Sequence, residues 1–108
     1  MSYSIELTAG FSRQAKKLTK KYPSLKTELA AIQKELLVNP QFGVSLGKDC
    51  YKIRIAIQSK GKGKSGGGRV ITHVYVSDER IFLLSIYDKA EKETISDKEL
   101  EKLLEGLY

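Results

Sequence analysis

One cysteine, one histidine and two prolines in 108 residues leave several kinds of chemistry without material. Cys50 has no second cysteine, so an internal disulfide is excluded and a reducing compartment is the natural setting. No His or Cys stands at ligand spacing from it, which leaves it the part of a small apolar filler at the head of a strand. No apolar run approaches membrane-spanning length, and Met1–Glu6 has neither the basic start nor the long apolar stretch of a secretory signal. A soluble cytoplasmic protein is expected, with no membrane partner. Repeats and long linkers are also missing, so residues 1–108 read as a single domain.

Acid is missing where base is densest. Ser59–Arg69, SKGKGKSGGGR, holds three lysines, an arginine and five glycines without one Asp or Glu. Ammonium groups on a glycine-rich backbone gain little by burial, so this hairpin tip reads as a sequence-tolerant grip on a polyanion, with Lys60, Lys62 and Lys64 as RNA-binding residues. The bland alternative is a solvated loop. Gly61, Gly63 and Gly66 satisfy G-x-G-x-x-G, but a dinucleotide site needs a helix next, and a strand follows. Gly63-Lys64-Ser65 imitates the end of a P-loop, yet Gln58 fills the required upstream glycine position. Neither nucleotide site is present. Residues 1–69 carry 14 Lys and Arg against 4 Asp and Glu (+10), whereas 70–108 carry 5 against 9 (−4), which puts the polyanion surface on the first part of the chain.

Periodicity supplies the elements. Tyr3–Leu7 alternates like a half-buried strand. Thr8 can cap a helix with Phe11, Ala15, Leu18 and Tyr22 on one face, ended by Pro23. Ser24 can cap a second with Leu25, Leu29, Ile32 and Leu36, ended by Asn39-Pro40. Tyr51–Ile57, Arg69–Val76 and Arg80–Tyr87 follow as a three-strand meander. Ser96 and Glu99 then form a capping box for a last helix with Leu100, Leu103, Leu104 and Leu107 as its stripe. The order β-α-α-β-β-β-α predicts an α+β fold, a helical hairpin on one face of a small, mostly antiparallel sheet and the other face free.

On that free face Lys52 and Arg54 point away from the isoleucines, and Arg69 joins them if the register allows. Tyr87 and Lys89 are two residues apart and share a side, and His73 completes the set. Such groups suit cleavage of RNA through its own 2′-hydroxyl: remove that proton, stabilise the phosphoryl charge, protonate the departing 5′-oxygen. No metal or other cofactor is needed. Arginine suits charge stabilisation because its planar fork grips two oxygens and stays ionised. Each residue has a structural reading too: Lys52 and Arg54 as solubilising strand residues, His73 as a half-buried hydrogen-bonded side chain, Tyr87 and Tyr75 as packing.

These residues give the chain a resemblance to RelE/HigB-type toxins of type II toxin–antitoxin pairs, within the RelE/ParE superfamily. The resemblance rests on Lys52-Ile53-Arg54, the lysine–glycine loop, Arg69-Val70-Ile71, the segment LLSIYDK ending at Lys89, and Asn39-Pro40 with Gly43. It implies a RelE-like fold and a metal-independent ribonuclease that cuts mRNA in the ribosomal A site and is silenced by a cognate antitoxin. In family terms Lys52 and Arg54 match the basic pair, Arg69 the phosphate-stabilising arginine, and Lys89 the position of a basic residue at the end of the last strand. One departure is Ile95, where the founding branch has a catalytic tyrosine. Two alternatives share the architecture or the basic loop: a ParE-like inhibitor of DNA gyrase, and a non-enzymatic ribosome or RNA binder.

Overall fold

The computed structural model describes residues 2–61, 63 and 66–107. In chain order it contains β1 (Ser4–Leu7), α1 (Ala9–Lys21), α2 (Leu25–Val38), β2 (Val44–Gly47), β3 (Cys50–Ile55), β4 (Gly68–Tyr75), β5 (Arg80–Asp88) and α3 (Asp97–Glu105). The sheet runs β1-β5-β4-β3-β2, with β1 parallel to β5 and every other pair antiparallel. This is the expected α+β arrangement, with one strand more than the alternation marked. β2 escaped because it is four residues long and mostly exposed, and because its hairpin turn is Lys48-Asp49, both at positive φ, rather than a glycine pair.

Thr8 caps α1 as its position implies, accepting from the Phe11 N–H at 3.1 Å, and its hydroxyl also reaches the Leu83 carbonyl at 3.1 Å. The cap therefore docks the helix on β5 as well as starting it. Ser24 behaves differently from expectation. Its hydroxyl makes no cap bond to α2 but accepts from the Ser59 N–H at 2.9 Å, while the Ser59 hydroxyl accepts from the Ser24 N–H at 3.0 Å. Glu28 adds a bond from the Gln58 N–H at 2.7 Å, so the start of α2 is clipped to the entrance of the glycine loop.

Two cores form, one on each side of the sheet. Phe11, Leu18, Leu25, Leu29 and Leu36 of the helical hairpin pack on Ile53, Ile55, Val70, Ile81, Leu83 and Ile86. On the opposite face Leu100 of α3, with Leu103, Leu104, Leu107 and Ile95, covers Cys50, Ile71, Leu84 and Tyr87. The second face is thus not free along its length, as alternation suggested; the leucine stripe of α3 closes most of it. Ser96 and Glu99 start that helix with the reciprocal capping box, at 3.1 and 3.2 Å.

A bulge decides what β5 shows to each side. Ile71 pairs with Ser85 but Thr72 with Leu83, leaving Leu84 as an extra residue. Before it, Ile81 and Leu83 face the helical hairpin; after it, Ile86 does, and Tyr87 turns to the α3 side. Gln14 of α1 fixes this kink, accepting from the Ser85 hydroxyl at 3.1 Å and the Ile86 N–H at 3.2 Å.

Candidate functional site

Register brings the basic residues together. Arg54 is opposite Arg69, and Arg69 is opposite Tyr87, so the three form one row across β3, β4 and β5. Paired Cα atoms in such a row lie about 4.5–5.5 Å apart. Lys52 sits one side-chain repeat further along β3, roughly 7 Å from Arg54. Lys89 follows β5, and its N–H donates to the Gly67 carbonyl at 3.1 Å. Lys52, Arg54, Arg69 and Lys89 line a single open pocket of about 360 Å³ together with Glu93 and Thr94. This pocket occupies the end of the sheet face that α3 leaves uncovered.

The four cations are held differently. Arg54 is exposed, Lys52 and Lys89 are half-buried, and Arg69 is only 3% exposed. Arg69 donates to the Gly68 carbonyl at 2.9 Å, which orients the guanidinium from within the strand. Four positive groups around one concavity suit a phosphodiester, because the pocket concentrates field that exposed charges would lose to solvent.

Tyr87 shares the row but not the pocket. Its ring lies beneath the α3 cluster, 8% exposed, with the Lys92 ammonium 5.6 Å from the ring centroid. Burial pushes its phenol above the ordinary range, partly offset by the Arg69 guanidinium. Its hydroxyl has no hydrogen-bond partner among the described residues. His73 belongs elsewhere. It is four residues from Arg69 on β4, about 13 Å along the strand, 7% exposed, stacked on Phe82, with Nδ1 3.5 Å from the Cys50 sulfur. The structure therefore separates His73 from the other residues of the sequence-based set. Cys50 is fully buried, and burial pushes its thiol up to about 11.

Lys60 turns inward, contrary to its expected part as a phosphate grip. Its ammonium pairs with Asp88, donates to the Gly66 carbonyl at 2.9 Å and lies 5.9 Å from the Tyr22 ring centroid. Asp88 is 1% exposed and also accepts from the Tyr22 hydroxyl at 3.0 Å and the Ala90 N–H at 2.9 Å. Although burial opposes ionisation, these bonds and the Lys60 charge hold its carboxyl below the usual aspartate range. The network joins both ends of the glycine loop to the end of β5. Gly67 completes it: a Cβ there would stand 2.1 Å from the Ile55 carbonyl oxygen, so only glycine allows the loop to close against β3. Lys62 and Lys64, the other two expected contacts, lie outside the described residues.

Three residues of this region went unmarked in the sequence. Asp88 was hidden because its partner is 28 residues away; Glu93 and Thr94 sit in an acidic connection that reads as a solvated turn. The charge alternation of 88–93, Asp-Lys-Ala-Glu-Lys-Glu, was the one available signal.

A family model described as the RelE toxin of the RelE / RelB toxin–antitoxin system matches residues 5–106. The chain belongs to the RelE toxin family. Among solved structures, an E. coli RelE toxin with two arginines replaced by alanine, in the free state, superposes with a TM-score of 0.64 at 19% identity, covering 100% of both chains. The isolated E. coli RelE toxin superposes at 0.57 with 17% identity, over 98% of this chain and 99% of that one. At these identities the likeness is one of fold. As a RelE-family toxin this chain carries Ile95 packed into the α3 core, where the founding branch was expected to carry tyrosine. Among the described residues no helix is long and apolar enough to cross a membrane, and no three His, Cys, Asp or Glu side chains converge as metal ligands.

Proposed function

We propose that this RelE-family toxin is a ribosome-dependent mRNA interferase, cutting mRNA through the 2′-hydroxyl of the substrate, and that a cognate antitoxin silences it. The observation that carries the reading is the meeting of Lys52, Arg54, Arg69 and Lys89 in one open pocket at the end of the sheet. A scissile phosphate seated there has Arg69 and Arg54 on its non-bridging oxygens, where negative charge grows in the transition state. Lys52 or Lys89 delivers the proton that the 5′-oxygen needs as it leaves. The nucleophile belongs to the RNA, which confines the reaction to RNA.

Binding has a second support. α1 exposes Arg13, Lys16, Lys17, Lys20 and Lys21 and contains no acid, so the helical layer presents its own cationic surface for ribosomal or messenger backbone. Lys62 and Lys64 extend the basic character of the glycine loop.

The test uses Arg54→Ala, since Arg54 is exposed, alongside Arg69→Lys, because truncating the buried Arg69 would also leave a cavity. Both variants should remain folded and lose growth arrest, and primer extension after induction of the wild type should show codon-aligned mRNA cuts. Arrest by either variant at wild-type strength would remove these arginines from the mechanism. Arrest without cuts, accompanied by gyrase inhibition, would move the protein to the ParE-like alternative.

A further inference from the structure

Resting on the ribonuclease reading, we infer that Glu93 is the catalytic group that takes the proton from the attacking 2′-hydroxyl. The pocket supplies many cationic donors and, among the described residues, one carboxylate. Its lining contains two lysines, two arginines and a threonine, and among the described residues the only carboxylate there is Glu93. A pocket built solely of cations could stabilise the phosphorane-like charge but would have nowhere obvious to put the first proton.

The carboxylate is also uncommitted. Three acids of this part of the chain are engaged, Asp88 with Lys60, Glu99 with Lys92, and Glu101 with Lys48 at 2.7 Å, whereas Glu91, Asp97 and Glu105 are unpaired among the described residues but do not line this pocket. Glu93 joins no ion pair among the described residues, although four cations share its pocket. A carboxylate already locked to an ammonium is a poor proton acceptor, whereas one left free beside a cationic phosphate site can point its lone pairs at the incoming hydroxyl. Its neighbour Glu91 lies along a different pocket, with Gln14 and Lys17, and does not compete for the role.

The step balances as a transesterification. The 2′-O–H bond breaks and its proton goes to the Glu93 carboxylate while the 2′-oxygen forms a bond to phosphorus. The P–O5′ bond breaks, its electron pair stays on the 5′-oxygen, and a pocket lysine ammonium protonates that oxygen. The products are a 2′,3′-cyclic phosphate and a 5′-hydroxyl, with no oxidant, reductant or metal consumed.

Glu93 is exposed, so Glu93→Gln should fold as the wild type does. With mRNA-programmed ribosomes as substrate, the variant should show kcat lower by about 100-fold or more, the usual contribution of a positioned acid or base. KM should stay level or fall, because a negative charge beside the phosphate has gone. Glu93→Asp, which retains a carboxylate on a shorter stem, should recover part of kcat. A merely structural role would not give this split between kcat and KM. If Glu93→Gln keeps kcat within about threefold of wild type, the assignment is wrong while the ribonuclease reading stands. If the wild type leaves mRNA intact, both fall together.

Discussion

Removing the ammonium of Lys60 by Lys60→Met tests the inward-facing ion pair most directly, because methionine keeps the unbranched length and deletes the charge. Asp88 is 1% exposed and Lys60 13%, so the pair is shielded from solvent on nearly all sides. Breaking such a pair from one side typically costs about 3–5 kcal/mol, since the remaining charge stays buried without its partner. Tyr22 and the Ala90 N–H still hold Asp88 in the variant, which places the expected loss near the lower limit, about 3 kcal/mol. For a chain of 108 residues that corresponds to a fall in Tm of roughly 12 °C, at about 4 °C per kcal/mol. Thermal unfolding followed by circular dichroism measures it. Asp88→Leu alone should also destabilise, and the double variant should be more stable than the two single losses add up to, by about 2 kcal/mol. A coupling below about 0.5 kcal/mol would mean the two charges do not meet. A Lys60→Met protein with unchanged Tm but weaker, less salt-sensitive RNA binding would return Lys60 to the outward role its sequence context suggests.

Three further outcomes follow from the same region and its neighbours. The Asp88 carboxyl lies below its ordinary range in the folded protein, so its stabilising contribution is complete above about pH 4, the unfolded value, and disappears as pH falls through the folded one; Tm between pH 2 and 7 should therefore be steeper for wild type than for Asp88→Asn. Gly67→Ala should destabilise by about 1–3 kcal/mol or more and reduce RNA cleavage, because the new methyl would collide with the Ile55 carbonyl; an unaltered Tm would show that the loop closes elsewhere. Cys50, buried with its thiol raised to about 11, should react with a disulfide reagent at pH 8 only after denaturation, and rapid labelling of the native toxin would contradict the described packing.

Much of this arrangement was legible because side chains in a strand alternate and their register is set by the apolar set on the other face. Lys52 and Arg54 could be placed together on that ground, with Arg69 joining them only once the hairpin register was known, and the capping residues Thr8 and Ser96 announced two helix starts. The same rule would have sent Tyr87 to the helical hairpin had β5 been regular from Ile81 onward; the extra residue at Leu84 reverses the faces, and nothing local in Leu-Leu-Ser-Ile marks a bulge. His73 and Lys60 show the complementary difficulty. Each is a polar residue whose surroundings come from distant segments, Phe82 and Cys50 for one and Asp88 and Tyr22 for the other, so residue type suggested solvent or substrate while packing chose the interior. Glu93 was overlooked for the opposite reason: an acid in a charged connection looks ordinary until the strands beside it are known to be basic.

The glycine segment is moored at both feet, by the Ser24–Ser59 clip on one side and by the Gly66–Lys60–Asp88 and Gly67–Lys89 bonds on the other. Lengthening a tether whose anchors stay put costs only about 0.6 kcal/mol for each doubling of its length. Changes of size and charge made between these two moorings accordingly leave the basic pocket assembled. Target choice could drift there independently of the chemistry, and a reporter peptide could be spliced in at the same spot.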